Sequence, residues 1–250
     1  MTKNSLRGFT LFELLIVIAI VAILSTIAYP VFIGVQERAK ALKDLNNLRQ
    51  IGVVTQLYLN DNNGVLFPAT PSWMMQLHPT IVMKQNGAVE YLSSWNVFQS
   101  PLDTRPALED DTNSPISYGI NQNVADQSVA GTRLFANKIV TPSIFILFAP
   151  AQDSAATVEF QGTAATAAPG VTVLGIGGSP PPPAPPLPAL AKSNPGGNAT
   201  GGTHSSRKQI NALFADWHVE NMLWATFTNT TVSSSDGSAD LRWVPYTPYP

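Results

Sequence analysis

RGFTLFELLIVIAIVAILSTIAYPVFIGV, residues 7–35, decides how the chain is organised. From Phe9 to Val35 it carries one charge, Glu13. Leu14 to Tyr29 carries none, and its polar groups are Ser25, Thr26 and the Tyr29 hydroxyl. A bilayer span needs about 20 residues of helix, and this stretch is long enough. Lys3 and Arg7 lie before it. A basic flank keeps that end cytoplasmic, so the remainder is expected across the membrane. A secretory signal would end in a small-residue cleavage site. Here Tyr29-Pro30 follows Ala28 and the apolar run continues.

Gly8-Phe9-Thr10-Leu11-Phe12-Glu13 closely resembles the class III signal of type IV pilins and type II secretion pseudopilins. The resemblance implies that a prepilin peptidase cuts between Gly8 and Phe9 and methylates the new amine of Phe9. Loss of Lys3 and Arg7 with the leader would take the side-chain charge from −2 to −4. Glu13 is costly in an apolar helix, roughly 2.5–3.5 kcal/mol at the bilayer centre and less toward an edge. The resemblance implies that it meets the Phe9 amine of a neighbouring subunit and sets axial register during assembly. By itself the residue reads by default as a carboxylate at headgroup level beside its own basic leader. Pro30 removes the helical bond to the Thr26 carbonyl, and Gly34 follows, so the helix is expected to bend or loosen there. Similar pilins carry a proline at this place.

Gln36 to Asn60 is polar but helical in pattern. Leu42, Leu45, Leu48, Ile51, Val54 and Leu57 recur every three residues, a period that winds around a 3.6-residue helix. Glu37, Arg38, Lys40, Lys43 and Asp44 suit a solvated face. Asp61-Asn62-Asn63-Gly64 is the expected stop, with glycine as cap. One helix from Phe9 to Asn60 would be about 78 Å long.

Later landmarks resemble, in order, the pseudopilin-like group whose C-terminal signature is a His, then Asp-Gly and a second His. They begin with Asn46 to Pro68 and continue with Trp95-Asn-Val-Phe-Gln-Ser-Pro-Leu-Asp103, with Ser100 where that group has Cys. Ser117-Tyr-Gly-Ile-Asn121 follows. His204 and Asn211-Ala-Leu-Phe-Ala-Asp-Trp-His-Val219 close the series, with Trp217 where that group has Gly. Ile139–Phe148 and Ile210–Leu223 read as strands, the second folded at Ala215-Asp216-Trp217-His218. A type I′ turn needs positive φ at both central residues. Trp217 suits that poorly, so a different turn or longer loop is expected. The implied architecture is the α+β pilin fold, a long N-terminal helix packed on a small antiparallel sheet.

The segments are then a leader, 1–8; a membrane helix, 9–35; its amphipathic continuation, 36–61; a globular part, 62–161; an insertion, 162–203; and a C-terminal hairpin with tail, 204–250. The insertion holds seven prolines between Pro180 and Pro188. Such a run favours polyproline II. It reads as a solvated low-complexity insert, or as a segment for an aromatic groove. Asn198 and Asn229 head glycosylation-like triplets, which chance produces often.

The chain has 250 residues, 14 Lys plus Arg, 16 Asp plus Glu, and no Cys. Zero Cys excludes disulfides, thiolate metal sites and Cys nucleophiles. The near-neutral balance argues against nucleic-acid binding by bulk charge. No enzyme motif is present: no Gly-x-Ser-x-Gly, no His-Glu-x-x-His, no phosphate loop and no dinucleotide fingerprint. The expectation is therefore not an enzyme, and no required cofactor. His204, Asp216 and His218 are conceivable metal ligands, but the resemblance favours turn-stabilising roles. Ser205 beside His204 is too close in sequence for triad geometry. Asp236 and Asp240 flank Gly237 in a polar loop, an arrangement suited to weak Ca²⁺ binding. It looks somewhat like the calcium loop of the major type II pseudopilin.

These readings converge on a structural subunit of a type II secretion pseudopilus. Its partners would be the prepilin peptidase, other pilins or pseudopilins, and an inner-membrane assembly platform. It would cross the inner membrane once and then enter a periplasmic or extracellular filament. A type IV pilin for adhesion, motility or DNA uptake is the alternative, and a membrane-anchored hydrolase is disfavoured.

Overall fold

The computed structural model describes residues 10–67, 73–79, 81–103, 117–121, 124, 135–150, 159–162, 171–172 and 202–227, with backbone alone at 159–162 and 171–172. The chain divides into two compact units, Met1–Ala39 and Lys40–Pro250.

Helix α1 runs from Leu11 to Asp61, 51 residues, and stays helical through Pro30 and Gly34. Its start is written in Thr10-Leu-Phe-Glu13. The Thr10 hydroxyl accepts from the Glu13 N–H at 3.2 Å, and the Glu13 carboxylate accepts from the Thr10 N–H at 2.9 Å. This reciprocal pair is a capping box. Ser25 and Thr26 return their hydroxyls to the carbonyls of Val21 and Ile23 at 2.8 and 2.7 Å. That satisfies the two small hydroxyls inside the apolar stretch. The helix ends through Asn63 and Gly64, at φ 57° and 77°. The Gly64 N–H donates to the Leu59 carbonyl at 2.7 Å, the six-to-one bond of a Schellman motif. The αL cap is thus Asn63, one residue before the glycine expected in that role.

Within the second unit, α1 buries Asp44, Asn47, Leu48, Ile51, Gly52, Val54, Thr55, Tyr58 and Leu59. That is a stripe at three- and four-residue steps, which follows the helix more closely than the period of three. Leu42 and Leu57 are accordingly exposed. Gly52 lets the helix approach β5 (Gln209–Phe214): a Cβ there would stand 3.2 Å from a Leu213 methyl.

Four strands form an antiparallel sheet in the order β1 (Tyr118–Asn121), β2 (Ile146–Pro150), β5 and β6 (Val219–Leu223). β3 (Glu159–Gly162) joins β1 in parallel, and β4 (Val171–Thr172) pairs with β3 antiparallel. The sheet is therefore not antiparallel throughout. β4 also lies inside the segment read as an insertion. Between β2 and β5 the register shifts from Ile146↔Phe214 to Phe148↔Leu213, one residue of bulge. One sheet face, with Tyr118, Ile120, Leu147, Phe148 and Leu213, packs with Leu48, Ile51, Trp73 and Phe98 in the larger core. The other, with Ile146, Ile210, Ala212, Phe214 and Met222, packs on Phe227 and Trp224 of the short helix α2 (Trp224–Phe227).

The strand expected over Ile139–Phe148 begins only at Ile146. Pro142 turns the chain before it, and the N–H groups of Ile144 and Phe145 both donate to the Thr141 carbonyl at 3.0 Å. A proline fixes φ for the second place of such a turn and has no N–H for a ladder. The hairpin expected over Ile210–Leu223 is present as β5–β6.

Gly202 abuts β5, where an added Cβ would lie 2.2 Å from the Gln209 carbonyl oxygen. Backbone on both sides leaves no flexible group to yield. Gly202→Ala is expected to destabilise the protein by about 1–3 kcal/mol, the usual range for overpacking. Urea unfolding of the full chain measures this, and an unchanged midpoint refutes the collision.

Candidate functional site

Of the residues expected to serve processing and assembly, Glu13 lies in the first turn of α1 and Pro30 inside it. Gly8 and Phe9 lie outside the described residues. The Thr10 N–H and hydroxyl both donate to Oε2 of Glu13, at 2.9 and 2.8 Å, while Oε1 adds acceptor capacity. Glu13 is thus a helix cap as well as a charge. A signal for this was present in the sequence as Thr-x-x-Glu before an apolar run. Residues 11–35 present seventeen large apolar side chains, all exposed. Covering each is worth at least about 1.5 kcal/mol, some 25 kcal/mol in all. That exceeds the net stability of a typical domain, about 5–15 kcal/mol, so this stretch needs lipid or other helices around it. By length and composition, α1 is the one helix among the described residues able to cross a membrane.

A second constellation was not legible in the sequence. Asp44, expected on a solvated face, is completely buried. It sits in the stripe with Asn47, Leu48 and Ile51, one turn of helix from the core. Its Oδ1 accepts from the Ser100 hydroxyl at 2.5 Å and the Tyr118 hydroxyl at 2.6 Å; its Oδ2 accepts from Asn211 Nδ2 at 2.7 Å. Three separate landmarks, Trp95–Asp103, Ser117–Asn121 and Asn211–Val219, thus meet on one carboxyl. Ser100 stands where the similar group has Cys, and its hydroxyl is a stronger donor than a thiol would be. Asn47 donates to the Gln99 carbonyl at 2.9 Å, and Ser117 to Asp103 at 2.8 Å, holding the same loops.

The network continues across the hairpin. Asn211 also donates to the Ala41 carbonyl at 2.9 Å. Asn221 donates to Asn211 Oδ1 at 2.8 Å and meets His204 Nε2 at 2.6 Å. With Asn221 as donor, Nε2 accepts and Nδ1 carries the proton, which faces Thr203 Oγ1 at 2.9 Å. His204 is therefore tied to the hairpin, while His218 pairs with Asp216 at its turn. No cluster of three or more His, Asp or Glu side chains suited to a metal occurs among the described residues. Asp236 and Asp240 lie outside them.

The hairpin turn differs from a type I′ turn, for a physical reason. The Trp217 N–H donates to the Phe214 carbonyl at 3.0 Å, and the Phe214 N–H to the His218 carbonyl at 2.9 Å. This is a three-residue loop whose last residue is left-handed. Trp217 takes that place at φ 75°, a conformation that costs a non-glycine residue roughly 1–2 kcal/mol. Three further non-glycine residues, Ser205, Ser206 and Arg207, take φ 52°, 56° and 65° in the loop before β5. The Asp216 N–H donates to the Pro142 carbonyl at 3.1 Å and the Ala215 N–H to that of Phe145 at 3.0 Å, which anchors the turn.

Taken together, an exposed apolar helix long enough to span a bilayer and an α+β unit are consistent with a membrane-anchored protein that has a small folded domain. Residues 3–29 match the family model described as "Prokaryotic N-terminal methylation motif". The chain therefore carries a prepilin-type signal, and a pilin-like or pseudopilin-like protein fits both the signal and the fold. The motif implies processing by a prepilin peptidase and assembly with other pilin-like subunits. The match ends at Tyr29, ahead of the folded domain. No curated protein and no solved structure matches the chain.

Burial holds the Asp44 carboxyl above its ordinary range, against the downward pull of Ser100, Tyr118 and Asn211. The native carboxyl thus keeps its proton at pH values where the unfolded chain has lost it. Its contribution to stability is fully present below the ordinary carboxylate pKa and is lost as pH rises through the folded value. The stability advantage over Asp44→Asn, which lacks this titration, is expected to shrink as pH rises from about 4, the ordinary aspartate value. Denaturant unfolding of both proteins across pH checks the sign, and an advantage that grows with pH refutes it. Asp44→Ala, which strands three buried donors, should cost on the order of 3 kcal/mol or more.

Proposed function

We propose that the chain is a structural subunit of a type II secretion pseudopilus and not an enzyme. The methylation motif at residues 3–29 carries the reading, because it runs directly into the exposed apolar helix. In this proposal the helix sits in the inner membrane with the N-terminus cytoplasmic and the folded domain periplasmic. A prepilin peptidase cuts between Gly8 and Phe9 and methylates Phe9. The apolar helices then leave lipid for a filament core, where similar burial is available and little net hydrophobic cost arises. Glu13 offers its carboxylate to the Phe9 amine of a neighbour. In that low-dielectric core the pair is strong and an unpaired charge is costly, so any other register is penalised. No cofactor is required, and Ca²⁺ at Asp236 and Asp240 is an accessory proposal that a Ca²⁺-dependent melting temperature would support.

The cap and the charge of Glu13 are separable. Glu13→Gln keeps acceptors for Thr10 but removes the charge, whereas Glu13→Val removes both. Both are expected to insert and both to assemble poorly, at no more than about a tenth of the normal filament yield, the loss that 1.4 kcal/mol brings. Normal filament yield from Glu13→Gln refutes the register role. The system is tested by the culture-supernatant proteome of a strain lacking this gene beside its parent. Loss of a set of exported proteins supports the secretion reading. An unchanged supernatant overturns it in favour of a pilus for adhesion, motility or DNA uptake.

A further inference from the structure

The folded domain has an open groove of about 470 Å³ whose purpose the assembly reading does not touch. The end of α1 supplies Gln56 and Asn60, the helix cap Asn63, the turn before β2 Phe135 and Asn137, and the β5–β6 turn Trp217. Its volume falls in the range of ligand sites. No charged side chain lines it. Two aromatic rings and four carboxamides do.

Trp217 is the instructive residue. Its backbone is left-handed, at φ 75°, a place where glycine would be free of strain. The turn nevertheless carries the largest side chain and sets it, half-buried, in the groove wall. Phe135 is 43% exposed opposite the same space. An indole and a phenyl ring in an uncharged groove are surfaces on which pyrrolidine rings stack. The carboxamides suit the same ligand. A polyproline II chain makes no internal hydrogen bonds, so all its carbonyls need donors. Proline has no N–H, so it asks for nothing else.

This chain contains such a ligand. Pro180-Pro-Pro-Pro-Ala-Pro-Pro-Leu-Pro188 has no charge and includes proline pairs at three-residue spacing. We propose that the groove is the docking site of the chain's own Pro180–Pro188 run. The tethers are long enough. Thr172 precedes Pro180 by eight residues, and Gly202 follows Pro188 by fourteen. Extended chain reaches roughly 28 and 49 Å over those lengths at about 3.5 Å per residue. β4, which ends at Thr172, and β6, which starts after Trp217, are the two edges of the sheet. Five inter-strand steps of about 4.8 Å make that width roughly 24 Å. Docking would close the segment across the domain. The covalent tether supplies a high effective concentration, so weak stacking suffices.

The test uses the full chain in detergent and a labelled synthetic peptide of residues 179–190. In one variant the seven prolines of 180–188 are changed to serine, which vacates the groove. The peptide is expected to bind that variant saturably and the unsubstituted chain at least tenfold more weakly, because the native segment competes. Trp217→Gly, placed in the serine background, relieves the left-handed backbone but removes an indole that packs on the core; it should weaken peptide binding at least tenfold, with the melting temperature measured beside it. Phe135→Ser, on an exposed position, serves as the second wall variant if Trp217→Gly unfolds. No saturable binding overturns the proposal. So does binding that the wall variants leave intact, or equal binding to the unsubstituted chain. Binding of maltoheptaose in place of the peptide also overturns it and marks a sugar site instead. None of these readouts depends on filament assembly, so failure here is distinct from failure of the secretion reading.

Discussion

A carboxyl that has lost all contact with water organises the folded domain. Asp44 sits in the buried stripe of α1, and isolated burial of an ionisable group is among the costliest events in folding. The cost is met by Ser100, Tyr118 and Asn211, from a loop, a central strand and the hairpin. Each comes from a different stretch of chain, and none is replaceable by a neighbour in sequence. A half-satisfied network would be worse than an apolar core. The domain therefore has to bring the helix, β1, β5 and the 95–103 loop together in one arrangement. Asn211, Asn221 and His204 extend the same demand outward to β6 and the loop before β5.

The apolar half of α1 obeys an opposite constraint. Its seventeen large side chains are exposed among the described residues, and Ser25 and Thr26 are satisfied locally. Hydroxyls return to carbonyls one turn back, and Glu13 closes on Thr10. Helical backbone needs no outside partner in lipid. What remains unsatisfied is apolar surface, and apolar surface is indifferent to whether lipid or another helix covers it. In the proposed assembly that indifference would let the helix pass from membrane to filament. In the proposed assembly the Glu13 carboxylate, the one charge of the stretch, would supply the register.

The two turns at the β5–β6 hairpin show how strain is placed. Left-handed conformations fall at Ser205, Ser206, Arg207 and Trp217, not at glycines. The backbone there is held by bonds from outside the turn, such as Asp216 to Pro142. Strained residues persist when their surroundings over-determine them. At Trp217 the outcome is an aromatic wall on the groove, which a glycine turn would lack.

The long apolar helix and the prepilin-type signal were readable from residues 7–35, because apolar length and a dense local motif need no distant partner to be recognised. The helix stop at 61–64, the hairpin and the α+β class were readable for the same reason, since turn chemistry and periodicity are properties of short segments. Asp44 was not. In sequence it stands beside Lys43 and close to Lys40, Arg38 and Glu37, and looks like one more solvated charge. Its burial depends on a hydroxyl 56 residues away, another 74 away and an amide 167 away. The start of β2 was misplaced because Pro142 spends Ile139–Phe145 on a turn. The parallel pairing of β3 was also invisible, since pairing partners are not encoded in either strand alone. Local sequence chemistry determined the long apolar helix and its prepilin-type signal. Only the tertiary structure decided which polar side chains would leave water together, because that choice is settled by mutual satisfaction of groups far apart in the chain.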